Sequence, residues 1–227
     1  MRPPFAATIA PMNDAELPLR YQTPPAWARQ VLARPLQLLN DHAHLEKKAA
    51  ANALELLNRW PEPRPPENWV AAMTAVARDE VEHLATVCRL LARRGGKLTK
   101  QHSNRYASDL RALVRQGTSP AELVDRLMVS ALIEARSCER FKLLGDACEG
   151  DAELRKLYRG LWASEHGHYR TFIQLAEDIE PREKVATRWD EILDAEARII
   201  QEQTPGPRMH SNGAGVPPAV GGTPAPH

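Results

Sequence analysis

Only three cysteines occur in the 227 residues, Cys88, Cys138 and Cys148, and no two stand in a C-x-x-C spacing. So sparse and odd a set excludes a disulfide framework and a cysteine zinc site, and it fits a reducing compartment. Aromatic residues are scarce at 5%, and no segment alternates apolar with polar residues as a half-buried strand does. No run approaches the ~18 apolar residues of a membrane span. The opening MRPPFAATIAPMN breaks its apolar stretch with prolines, which makes it a poor signal peptide. An excess of one charge is missing too, since 30 Lys and Arg against 29 Asp and Glu leave a formal net charge of +1. No basic or acidic coat therefore covers the whole molecule, and any charge asymmetry is confined to local patches. Together these absences predict a cytoplasmic chain without a membrane partner.

What is present is helix-forming sequence. At 43% hydrophobic the chain can bury one good-sized core. Residues 1–25 are proline-rich and read as irregular, with a short helix expected around Trp27. Four long helical patterns follow, over about 35–59, 67–94, 119–146 and 151–179. The first stops at WPEPRPPE and the second at Gly95-Gly96. The third opens on SPAE, with Ser119 as N-cap and Glu122 closing a capping box, and the fourth is capped by Asp151. A fifth helix starts at Pro181, and from Gln203 a Pro/Gly-rich tail is expected to build no core of its own. The predicted class is all-α, a four-helix bundle with additional flanking helices occupying 26–202, between the irregular segment 1–25 and the tail 203–227.

Each long helix carries an apolar stripe interrupted by acid. In the fourth, Leu154, Tyr158, Leu161, Glu165, His168, Phe172 and Leu175 share a face. The second repeats this Glu-x-x-His pair as Glu80 and His83, between Met73, Val76 and Val87, Leu90. Glu46 is the lone acid on the stripe of the first helix, and Glu134 on that of the third. The order Glu, Glu-x-x-His, Glu, Glu-x-x-His is the ligand pattern of ferritin-like di-iron and di-manganese bundles. Four carboxylates converging in a dry core would repel one another, whereas two divalent cations cancel their charge and leave two neutral imidazoles as ligands. The N/O donor set suits iron or manganese better than zinc.

Other polar residues have bland readings. Glu139 rivals Glu134 but lies on another face, where Arg136 and Arg140 offer ion pairs. His42 sits one turn before Glu46 as a core histidine or a partner to it, while Asp41, His44 and His166 lie off the stripes. Tyr158 and Tyr169 read as packing residues.

The stretches DHAHLEKKAA, RDEVEHLATV, LIEARSCERF and SEHGHYRTFIQLA resemble those of the bacterial tRNA 2-methylthio-N6-isopentenyladenosine hydroxylases. The resemblance runs from about residue 24 to 202 and touches SNRYASDL and, more loosely, MHSNGAGVP. It implies a ferritin-like bundle with two iron ions held by Glu46, Glu80, His83, Glu134, Glu165 and His168. It further implies O2-dependent hydroxylation of the isopentenyl side chain of the modified adenosine next to the anticodon, with electrons from a separate reductase. Related di-iron monooxygenases carry a hydroxyl one turn beyond the third-helix Glu, a position that falls here on Cys138 with Ser137 beside it. For the tRNA partner, the connection between the second and third helices is basic. Arg94, Lys97, Lys100, Arg105 and Arg111 are its expected phosphate contacts. An iron-storage ferroxidase or a manganese catalase would share the six ligands, and a purely structural bundle would leave them unexplained.

Overall fold

The computed structural model describes residues 17–117 and 120–212, and among these every regular element is an α-helix. They are α1 (Ala26–Leu32), α2 (Pro35–Leu56), α3 (Trp69–Arg93), α4 (Arg105–Arg111), α5 (Ala121–Ala147), α6 (Ala152–Glu177) and α7 (Arg182–Gln201). Local chemistry sets the ends. Pro35 occupies the first turn of α2, where its missing N–H is no loss. After α3 the chain turns through Gly95 at φ +78°, a left-handed conformation that glycine adopts without Cβ strain. Asp151 caps α6 by accepting from the Leu154 amide at 3.0 Å, as its position predicts.

The expected Ser119 cap of α5 lies outside the described residues; Glu122 accepts from the Gly117 amide at 3.0 Å and pairs with Arg126 at 2.8 Å. The basic connection is not all loop. Asn104 accepts from the Ala107 amide at 3.2 Å and so nucleates α4 within it.

Helix α2 packs along α3 and α5 along α6, and the two pairs form the bundle, with α1, α4 and α7 flanking it. α5 is the central element, with 18 of its 27 residues buried. It also carries the buried cations Arg136 and Arg140. Arg136 forks onto Glu196 of α7 at 2.8 Å through both Nε and Nη2, and both side chains are fully buried. Segment 203–212 also adds to the core: Met209, His210 and Ser211 are buried against the bundle.

The apolar interior divides into two clusters. One includes Ala53, Met73, Leu127, Ala131 and Phe172, and the other Leu39, Val87, Phe141 and Leu161. Along each of the four long helices the chain passes from one cluster to the other, and the acidic residues stand between. A polar layer thus crosses the middle of the bundle.

Candidate metal centre

The six residues singled out on the stripes meet in that layer. Glu46 projects from α2, Glu80 and His83 from α3, Glu134 from α5, and Glu165 and His168 from α6. Glu46, Glu80, His83 and Glu165 offer donor atoms that all lie within 4.8 Å of one another. The same holds for Glu80, Glu134, Glu165 and His168. Glu80 and Glu165 belong to both sets, so two four-donor clusters share two carboxylates, the layout of a dinuclear site with bridging ligands.

The donor atoms face one another and little else. His83 Nδ1 lies 3.1 Å from Glu165 Oε1 and 3.7 Å from Glu46 Oε2, and His168 Nδ1 lies 2.7 Å from Glu80 Oε1. Both oxygens of Glu80 and of Glu165, with the Nδ1 atoms of both histidines, are buried and lack a hydrogen-bond partner of acceptable geometry. Orphaned polar atoms on this scale would be costly, and cations at the two foci would satisfy them together. Both histidines present Nδ1 to the cluster. The other nitrogen of His168 lies 3.5 Å from Asp79 Oδ2, a carboxylate placed to hold the ring in that tautomer. His42 Nε2 makes a very short contact with Glu46 Oε1, which orients that carboxylate.

The protonation pattern follows from the crowding. Burial, then repulsion from Glu165 and Glu46, pushes Glu80 up to about 8. Burial and Glu165 hold Glu134 well above the ordinary carboxylate range. For Glu165 burial acts upward, but the close approach of His168 and His83 outweighs it and brings it to about 2. Glu46 is likewise held below the usual range, where attraction to His42 overcomes burial. Burial alone would neutralise the histidines, yet their carboxylate neighbours, Glu165 foremost, raise His83 to about 12 and His168 to about 10. Protons on four of the six residues therefore stand in for cations.

Of the remaining expected site residues, Cys138 is fully buried and its Sγ donates to the Trp162 carbonyl at 3.7 Å. Burial, with Glu165 and Glu134 nearby, keeps this thiol protonated. Ser137 is buried beside it. Glu139 stays outside the cluster, accepting from the Thr23 amide at 2.6 Å and from Arg136 at 2.5 Å. His166 stacks on Trp162, and Tyr158 on Phe141 and His42. In the basic connection Lys97, Lys100, Arg105 and Arg111 are exposed. Arg94 instead forks onto Asp151 at 2.6 and 2.8 Å and reaches Glu153 at 3.1 Å, tying α3 to the start of α6.

A cavity of about 200 Å³ opens beside the centre, and Glu134 forms part of its wall. Leu45, Ala49, Val129 and Ile133 make its apolar surface, while Lys48, Arg111 and Arg126 add cations. Sequence periodicity gave no sign of this cavity, because its walls come from α2, α4, α5 and the tail. The only local signal was the small residue Ala49 on the cavity face of α2.

Comparison with known proteins agrees with the geometry. The chain is 39% identical over 198 residues to a Pseudomonas putida protein named tRNA 2-(methylsulfanyl)-N(6)-isopentenyladenosine(37) hydroxylase, covering 87% of this chain and 92% of that one. A Salmonella typhimurium protein of the same name is 29% identical, with 88% and 89% covered. Among solved structures, a Synechococcus protein described as having aldehyde deformylating oxygenase activity superposes with a TM-score of 0.78 at 37% identity, covering 87% of this chain and 98% of that one. The bundle is of the ferritin-like kind. The model of the tRNA-(MS[2]IO[6]A)-hydroxylase (MiaE) family matches residues 10–211, and the chain belongs to that family.

Proposed function

We propose that this protein is a tRNA-modifying monooxygenase that hydroxylates the isopentenyl side chain of 2-methylthio-N6-isopentenyladenosine next to the anticodon, using O2 at a dinuclear iron site. The observation that carries the reading is the pair of overlapping four-donor clusters at the wall of a part-apolar cavity, in a chain of this family. Glu46, Glu80, His83, Glu134, Glu165 and His168 would hold the two irons, Glu80 and Glu165 being the carboxylates common to both donor clusters. The metal pair supplies O2 reduction and insertion of one oxygen atom into a C–H bond, with electrons from an external reductase. No helix among the described residues is long and apolar enough to cross a membrane, and a tRNA substrate places the enzyme in the cytoplasm.

The chain's own side chains do the positioning. Leu45, Ala49, Val129 and Ile133 line the cavity beside Glu134, so a prenyl group lying on them sits next to the centre with water displaced from its methyls. Lys48, Arg111 and Arg126 on the same wall attract the phosphates that flank a flipped-out base. Lys97, Lys100 and Arg105 extend this basic surface. Asp79 and His42 keep the ligands His168 and Glu46 oriented. Cys138, with Ser137 beside it, is the residue assigned to proton handling at the centre, a buried side chain close to Glu134 and Glu165.

A second reading rests on the Synechococcus protein and its aldehyde deformylating oxygenase activity. The same cavity would take an aliphatic aldehyde, although its three cations and its amide side chains Asn52 and Asn104 suit a nucleotide better. One experiment separates them. The iron-loaded protein is given O2, a reductase system and either a modified anticodon stem-loop or an aldehyde, and products are read by mass spectrometry. Gain of one oxygen on the nucleoside supports the hydroxylase, while an alkane or alkene from the aldehyde and an unchanged nucleoside overturn it.

A further inference from the structure

The tail puts one polar side chain into the cavity wall that none of the roles above uses. His210 lines the cavity that Glu134 also lines. It is 5% exposed, and its Nε2 is buried without a partner. Its neighbours are pinned. The Met209 amide donates to Asp41 Oδ2 at 2.8 Å, Trp27 Nε1 donates to Ser211 Oγ at 3.0 Å, and Arg140 donates to the Ser211 carbonyl at 3.1 Å. The ring itself packs on Tyr106, 4.5 Å between centroids, and the Tyr106 hydroxyl donates to the buried Glu196 at 2.9 Å. Such a fixed imidazole is built into the wall rather than draped over it.

Its tautomer follows from α4. Asn104 Oδ1 is engaged as the N-cap acceptor for the Ala107 amide, which fixes the amide so that Nδ2 faces His210 Nδ1 at 3.5 Å. An amide NH2 can only donate, so Nδ1 of His210 is an acceptor and the proton sits on Nε2. Burial and the Arg140 and Arg136 charges keep the ring neutral. The protein thus holds an unpaired N–H donor on a side chain that lines the cavity, whose proposed occupant is an adenine with acceptor nitrogens on its rim.

We propose that His210 reads the base: its Nε2–H donates a hydrogen bond to a ring nitrogen of the adenine whose side chain lies beside Glu134. The inference rests on the tRNA hydroxylase reading and deepens it, since it assigns the tail a part in substrate selection. A buried donor matched to a substrate acceptor discriminates strongly against an analogue that lacks the acceptor, because the donor is then left unpaired.

The test uses the full-length iron-loaded protein and modified anticodon stem-loops in which the target adenine is the parent base or its 1-deaza, 3-deaza or 7-deaza form. Binding is measured by anisotropy alongside turnover. One deaza substrate should bind wild type about tenfold more weakly than the parent. His210→Phe keeps a ring against Tyr106 and removes the donor. It should raise KM about tenfold with kcat, iron content and Tm little changed, and should no longer distinguish that deaza substrate from the parent. His210→Gln, whose amide N–H reaches as far as Nε2, should recover most of the affinity. Equal wild-type binding of all four stem-loops overturns the proposal, as does a His210→Phe protein that still discriminates among them. Discrimination in binding without any hydroxylated product would instead refute the hydroxylase reading and leave the contact standing.

Discussion

Filling the metal centre should expel about four protons per chain at neutral pH, since each ligand must give up its proton to bind. The count comes from the site. His83 and His168 are imidazolium ions, raised to about 12 and about 10, and Glu80 at about 8 and Glu134 above the normal range are carboxylic acids. Glu46 and Glu165 are already ionised at neutral pH. Without metal the layer holds two negative and two positive charges; with two divalent ions it holds four of each. The ligand set is neutral in both states, which is how the bundle can fold before loading. The sign is fixed by the raised values: lowering the pH keeps the four protons in place and weakens loading. Near pH 7 the apparent constant for taking up both ions should climb by roughly four decades per pH unit, easing to roughly three above pH 8 as Glu80 ionises. Anaerobic calorimetric titration of the metal-free protein with ferrous iron, in buffers of different ionisation enthalpy, yields the proton number directly. Glu80→Gln should lower it by about one, since the amide carries no titrating proton. Release of one proton or none by the wild-type protein would refute the charge assignment.

The remaining predictions concern other parts of the molecule. Glu134→Ala, Glu80→Ala and His168→Ala should each abolish hydroxylation while circular dichroism stays helical, whereas Glu139→Ala should keep its iron; the reverse pattern on α5 would overturn the ligand assignment. Arg136→Met strands Glu196 in the core and should cost about 3–5 kcal/mol of unfolding free energy in urea titration. Reversing the charge of Lys97, Lys100 and Arg105 together should flatten the salt dependence of tRNA binding, by roughly 0.7–0.9 of a log unit of slope per lost phosphate contact, and parallel salt plots for mutant and wild type would exclude that surface. Arg94→Ala should lower Tm by releasing the ion pair that joins α3 to α6, with the salt slope of tRNA binding unchanged; an altered slope would return Arg94 to the RNA surface.

Much of the bundle could be read along the chain because its signals are local. A 3.6-residue repeat marks one helix face, and an acid interrupting an apolar stripe stands out whatever the partner helix is. Glu46, Glu80, His83, Glu134, Glu165 and His168 were legible for that reason, as were the Asp151 cap and the proline and glycine stops. Even the rejection of Glu139 was legible, since its angular position on α5 already pointed away from the stripe. The sequence alone thus determined the acid-bearing stripe of each long helix, though not the burial of Asp41, His44, Arg136 and Arg140 off those stripes. Tertiary structure alone decided what those faces meet. It set Glu80 and Glu165 in both donor clusters, turned Arg94 from the expected RNA surface to Asp151, matched Arg136 with Glu196 sixty positions away, and folded His210 into the wall beside Glu134. Contacts of that kind depend on how helices pack and where a tail returns, and periodicity within one segment carries no record of either.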